Sequence, residues 1–260
     1  MRYRSLGWLL VGVWIGAWPL AAHADYLSDA REALKKGDLR SAQIDLRNAV
    51  RADPQSGESH YWLGRVSFEL GDPVAAEREA DAATARGFDP HLTTRLLGQA
   101  LLAQGRFNDL LTKMQPAGKD ADLDATILVF RGYAQIGLHH PDLAQKAFND
   151  AEKEAPNGVE PLLAEARLLV ARGDLNGAGA RIDHAIAVQP KSAEALLAKS
   201  QLLRTKGDMT GALAVLDDLI KDQPSIVQAR LDRASLEIAL DKPDIAKQDI
   251  AVVLKATPGT

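Results

Sequence analysis

Residues 157–190 read NGVEPLLAEARLLVARGDLNGAGARIDHAIAVQP, and residues 191–224 read KSAEALLAKSQLLRTKGDMTGALAVLDDLIKDQP. Laid over one another without a gap, they match small on small at Ala166 and Ser200. They also match Gly173 with Gly207, Ala178 with Ala212 and Pro190 with Pro224. The register of 34 continues backward to Pro156, Ala144 and Gly132 and forward to Pro258, Ala246 and Ala234. It reaches the front as Ala30, Gly37, Ala42, Ala49 and Pro54, then Gly64, Gly71, Ala76 and Ala83. The chain therefore divides into seven units, 21–54, 55–90, 91–122, 123–156, 157–190, 191–224 and 225–258. The second is two residues long and the third two short, so the frame recovers.

Each recurring residue has a steric reason. The first small position (Ala30, Gly64, Gly98, Gly132, Ala166, Ser200, Ala234) is what two closely packed helices require. A larger side chain there overpacks, at about 1–3 kcal/mol. Seven residues on stand Gly37, Gly71, Gly105, His139, Gly173, Gly207 and Asp241, where a chain leaving a helix turns left-handed. The closing Pro cannot continue a helix and pushes its predecessor out of helical space. Between these stops run stretches of about 12–15 residues with apolar periodicity near 3.6. Two antiparallel helices per unit, stacked unit on unit, predict an all-α fold, a right-handed α-solenoid.

Composition agrees. Of 260 residues 46% are hydrophobic, enough for a folded chain, and only 5% are aromatic, few for a β-sandwich or barrel. With no Cys there is no disulfide scaffold, thiolate metal site, cysteine nucleophile or N-terminal Cys to lipidate. The balance of 31 basic against 35 acidic residues leaves no global basic field for nucleic acid.

Arg2 and Arg4 precede an apolar run from Leu6 to Leu20, closed by Ala22-His23-Ala24. This is the charged, apolar and small–x–small order of a secretory signal peptide, residues 1–24, with cleavage expected after Ala24. The run is shorter than the ~20 residues of a membrane span, and a retained anchor is the alternative. The solenoid then spans 25–260, periplasmic or secreted and not Cys-anchored. Loss of Arg2 and Arg4 leaves 29 basic against 35 acidic residues, and Trp62 as the one Trp.

These units resemble the tetratricopeptide repeat family over essentially the whole exported chain. Leu63-Gly64 and Phe148 match its larger consensus positions as well. The unit 91–122 departs most: Leu110 stands for the usual Ala, and Pro116 is expected to cut its second helix short. The resemblance implies a non-catalytic scaffold whose first helices line a concave groove. The residues it places there include Arg31, Arg65, Gln99, Tyr133 and Arg167, each directly after the small position, with Tyr61, Trp62, Arg95 and Arg204. Two readings of this stripe compete. Arg groups pair with carboxylates of a peptide or acidic polymer while aromatics stack on it. Alternatively, Arg stems cover apolar surface and pair with acidic residues of neighbouring helices.

The first two units, with Gly37-Asp38-Leu39-Arg40-Ser41-Ala42, Tyr61-Trp62-Leu63-Gly64 and Gly87-Phe88-Asp89-Pro90, resemble more narrowly the repeat proteins of exosortase (PEP-CTERM) exopolysaccharide systems. That implies a protein partner in the cell envelope, in exopolysaccharide assembly or export. Direct binding of acidic polysaccharide and an adaptor role in pilus or cytochrome biogenesis are the alternatives. Ile245, Ile250 and Val253, with no further helix to cover them, suggest self-association through the C-terminal edge.

No catalytic, cofactor or metal constellation is expected. Asp120, Asp122 and Asp124 open like a calcium loop, but Ala125 and Arg131 stand where Gly and Glu are needed. They read instead as a solvated acidic loop capping a helix. His139 and His140 read as inter-helix turn residues, and Gly177-Ala178-Gly179 falls in mid-helix rather than after a strand.

Overall fold

The computed structural model describes residues 18–256, with side chains from 24 to 255. The expected signal segment lies outside the described residues except for its last seven, and Pro258 lies outside them too. The described chain forms α1 (Trp18–Lys35), α2 (Leu39–Ala52), α3 (Gly57–Glu69), α4 (Pro73–Ala85), α5 (Pro90–Ala103), α6 (Phe107–Lys113) and α7 (Ala121–Gly137). It continues as α8 (Pro141–Glu154), α9 (Val159–Ala171), α10 (Leu175–Val188), α11 (Ala193–Thr205), α12 (Met209–Asp222), α13 (Val227–Ala239) and α14 (Pro243–Ala256). No strand occurs among the described residues. Each odd helix packs on the even helix after it, giving seven stacked pairs, an α-solenoid.

All seven turn positions expected between paired helices lie in the left-handed region. Gly37, Gly71, Gly105, Gly173 and Gly207 have φ of 74, 81, 67, 82 and 85°, and His139 and Asp241 adopt 62 and 58°. After four of these glycines comes an Asp; Asp38, Asp72, Asp174 and Asp208 accept a backbone N–H from the first turn of the next helix. The cost at these sites is conformational rather than steric, because a Cβ on Gly173 would meet nothing within 4 Å. Gly173→Ala is expected to lower stability by about 1 kcal/mol and Gly173→Asn by less, read from urea midpoints.

The small position works as expected. A Cβ on Gly98 would lie 2.6 Å from the Phe130 ring, and one on Gly132 would press into the ring of Phe148. Where Ser200 takes the position, its hydroxyl donates to the Ala212 carbonyl at 3.2 Å, satisfying the buried group. Odd helices also touch one another from α3 through α11. This crowding puts the odd layer on the inner side of the curve.

The third unit is irregular. α6 spans 7 residues where α8, α10 and α12 span 14, and the chain turns extended at Met114, two residues before Pro116. Two side chains of α7 secure the segment that follows. Asp124, only 3% exposed, accepts from the amides of Ala117 (2.8 Å) and Gly118 (2.6 Å). Arg131 donates to the carbonyls of Leu111 (2.7 Å) and Met114 (2.9 Å), closing the end of α6. The acidic-loop reading thus needs correction in part. Asp120 does cap α7 by accepting from Leu123, but Asp124 is a buried clamp and not a solvated residue.

Candidate functional site

The nine residues expected in the groove all lie on odd helices, and the structure gathers most of them into two groups. In the first, Tyr61, Trp62 and Arg65 come from α3, and Arg95 and Gln99 from α5. Tyr61 is buried, stacked on Phe88 at 5.1 Å and edge-on to Trp62 at 5.4 Å. Arg65 lies 5.8 Å over the Trp62 ring, held charged by Tyr61 and, from one turn on, by Glu69. Tyr61, Arg65, Phe68, Arg95, Leu96 and Gln99 line a notch of about 270 Å³.

In the second group, Arg167 of α9 donates to the Tyr133 hydroxyl at 2.6 Å and to Glu194 at 3.1 Å. Burial pushes the Tyr133 hydroxyl pKa up, against the opposing pull of Arg167. Arg167, Gln201 and Arg204 border a notch of about 260 Å³ with Leu163 and Val170 on its floor. The two notches are one feature repeated. Arg65 and Arg167 are 102 residues apart, as are Gln99 and Gln201, Tyr61 and Leu163, and Phe68 and Val170. Three periods of the repeat therefore separate two copies of the same notch, one with an aromatic wall and one with an aliphatic wall.

Most groove arginines have partners inside the chain. Arg31 pairs with Glu58 at 2.6 Å, Arg167 with Glu194, and Arg95 with Glu160 through two bonds of 2.8 Å. The Arg95 pair bridges α5 to α9 past α7, a chord across the inner curve. Exposed pairs of this kind contribute only ~0–1 kcal/mol, so they neutralise the groove more than they stabilise it. The side chains of Gln99 and Arg204 are exposed and make no hydrogen bond or ion pair among the described residues. Pairing of these arginines with acidic residues of neighbouring helices was one of the two readings of the stripe, without Glu58, Glu160 and Glu194 being named. A signal was there: in Arg31–Glu58 and Arg167–Glu194 the acid stands 27 residues after the base.

The sequence model of the tetratricopeptide repeat matches residues 27–91 and 163–227, half of the chain. The chain belongs to the tetratricopeptide repeat family. Its fold is also that of solved proteins at low identity, two of them tetratricopeptide repeat proteins. A thermophilic protein of Thermus thermophilus is 21% identical, with 83% of this chain and 99% of that one covered and a TM-score of 0.53. One from Parabacteroides merdae is 18% identical, covering 92% and 100% with a TM-score of 0.55. PilF of Pseudomonas aeruginosa is 20% identical, covering 85% and 99% with a TM-score of 0.50. No curated protein sequence matches the chain. As in other tetratricopeptide repeat proteins, the fold is a scaffold for protein partners. Among the described residues no group of three His, Asp or Glu is disposed to hold a metal, and no helix is long and apolar enough to cross a membrane.

Proposed function

We propose that the chain is an exported, non-catalytic scaffold of the cell envelope that binds a protein along its odd-helix face, in exopolysaccharide assembly or export. The observation that carries the binding reading is the notch repeated at Arg65/Gln99 and Arg167/Gln201, which suits a partner with regularly spaced side chains. Export rests on the Arg2–Ala24 segment, and the envelope pathway on the residues shared with the exosortase-associated repeat proteins. Acidic polysaccharide is the weaker ligand, because Glu58, Glu160 and Glu194 already match Arg31, Arg95 and Arg167. A polyanion entering that groove would meet fixed carboxylates. An adaptor role in pilus or cytochrome biogenesis would use the same face. Self-association would use the C-terminal edge, where Ile245 and Ile250 are 40% and 38% exposed while Val253 is buried.

Trp62 separates the two ligand classes, since it stands beside the first notch against Tyr61 and Arg65. Titrating the processed chain with an anionic oligouronide is expected to leave Trp62 emission unchanged, while affinity isolation from envelope extracts recovers synthase or export components. A saturable emission shift with the oligouronide, abolished by Arg65→Gln, would transfer the function to polysaccharide binding.

A further inference from the structure

We infer that the Arg95–Glu160 pair is a strap across the groove, which holds the curvature from the third unit to the fifth and closes the inner face between the two notches. A partner that fills both notches then has to part it, a consequence that rests on the binding reading above, as the strap itself does not. Arg95 of α5 and Glu160 of α9 meet through two parallel bonds of 2.8 Å, the fork geometry in which guanidinium and carboxylate bind most strongly. α7 packs on both helices and separates them, so the pair skips a whole unit. The other ion pairs between units, among the described residues, join neighbours.

Two departures from the repeat make the strap. Three residues before the small position, the other units carry Leu27, Tyr61, Val129, Leu163, Leu197 and Leu231, and the third alone carries a cation, Arg95. Glu58 and Glu194 each take the arginine 27 residues earlier, Arg31 and Arg167. Glu160 holds the same place in its own unit, but 27 residues before it stands Tyr133, which has no positive charge to offer. Glu160 therefore lacks the regular partner, and Arg95 supplies it from one unit further back.

The strap sits where packing holds the curve least. α6 has half the length of α8, so the outer layer is thin beside α5. Each unit of a solenoid leans only on its neighbours, and one bond between units two apart is enough to bias the bend. On one side of the strap lies the notch of Tyr61 and Arg65, which Arg95 itself lines, and on the other the notch of Arg167 and Arg204. After burial, Glu160 and Glu194 add to the rise of the Tyr133 pKa, so the strap lies beside the second group as well.

The chain has no Cys, so Arg47→Cys and Lys221→Cys, both exposed on the even layer, give two unique spin-label sites in the first and sixth units. Distances between them are read by double electron–electron resonance on the full chain with no partner present. Glu160→Gln is expected to broaden the distribution toward longer distances, lowering the ratio of closed to open forms about fivefold, the upper range for an exposed pair. Arg95→Glu, which sets two carboxylates face to face, should open it further, and the swap Arg95→Glu/Glu160→Arg should restore the original distribution. Salt raised from ~0.1 to ~1 M cuts the screening length from ~10 to ~3 Å and should move the parent chain toward the Glu160→Gln distribution, leaving Glu160→Gln itself in place. Superimposable distributions for the parent and Glu160→Gln, or a swap that stays as open as Arg95→Glu, would overturn the strap. Either result would leave partner binding in the groove untouched, and loss of that binding would leave a strap that passes these measurements standing.

Discussion

Asp249→Ala is expected to destabilise the last helix pair by about 3 kcal/mol, because Arg230 loses its carboxylate partner and Arg233 is left with Asp217 alone. Asp249 is 2% exposed and accepts from Arg230 at 2.9 Å and from Arg233 at 2.7 and 2.8 Å. Burial alone raises the Asp249 pKa, but hydrogen bonds and charge from Arg233 and Arg230 outweigh it and hold the carboxyl below its usual range. The linkage follows from that depressed value. The stabilisation is fully present above an unfolded Asp pKa of ~3.9 and is lost as pH falls through the lower folded value. Because each unit of a solenoid leans only on its neighbours, the loss stays local. Hydrogen exchange should show protection falling in α13 and α14 while α3 to α5 keep theirs. Uniform loss along the chain would argue against independent units.

Gly132→Ala is the second large effect, at about 1–3 kcal/mol, because the new methyl must displace the ring of Phe148, itself 1% exposed. The fifth unit shows how the conflict resolves: the same two places hold Ala166 and Ile182. The double variant Gly132→Ala/Phe148→Ile should therefore recover most of what the glycine change loses, although Phe148→Ile alone costs stability. Denaturant melts of the four proteins form a cycle, and a coupling of at least ~1 kcal/mol is expected for side chains in contact. Additive losses would mean that the small position is not set by the ring opposite it.

The repeat was legible because its physics is local. A left-handed turn, a small residue where helices touch and a Pro stop each leave a mark at fixed spacing, and His139 and Asp241 obey the frame even without glycine. Pro116 equally announced the short α6. The groove was legible only in part. Which residues share the inner face was implied by the family resemblance laid on the frame, but pairing between units depends on curvature, and the frame says nothing of curvature. Arg95 reaches Glu160 across 65 residues only because α5 and α9 converge. The solvated reading of Asp124 fails for a related reason. Its burial depends on a segment that folds back, and no periodic position records that.

The most direct test of a partner on the inner face is photocrosslinking from single sites in envelope extracts. A benzophenone amino acid at Gln99, exposed in the first notch, should capture a protein partner, and one at Arg47, exposed on the outer helix layer, should not. Capture from Arg47 in preference to Gln99 would contradict the assignment of function to that face.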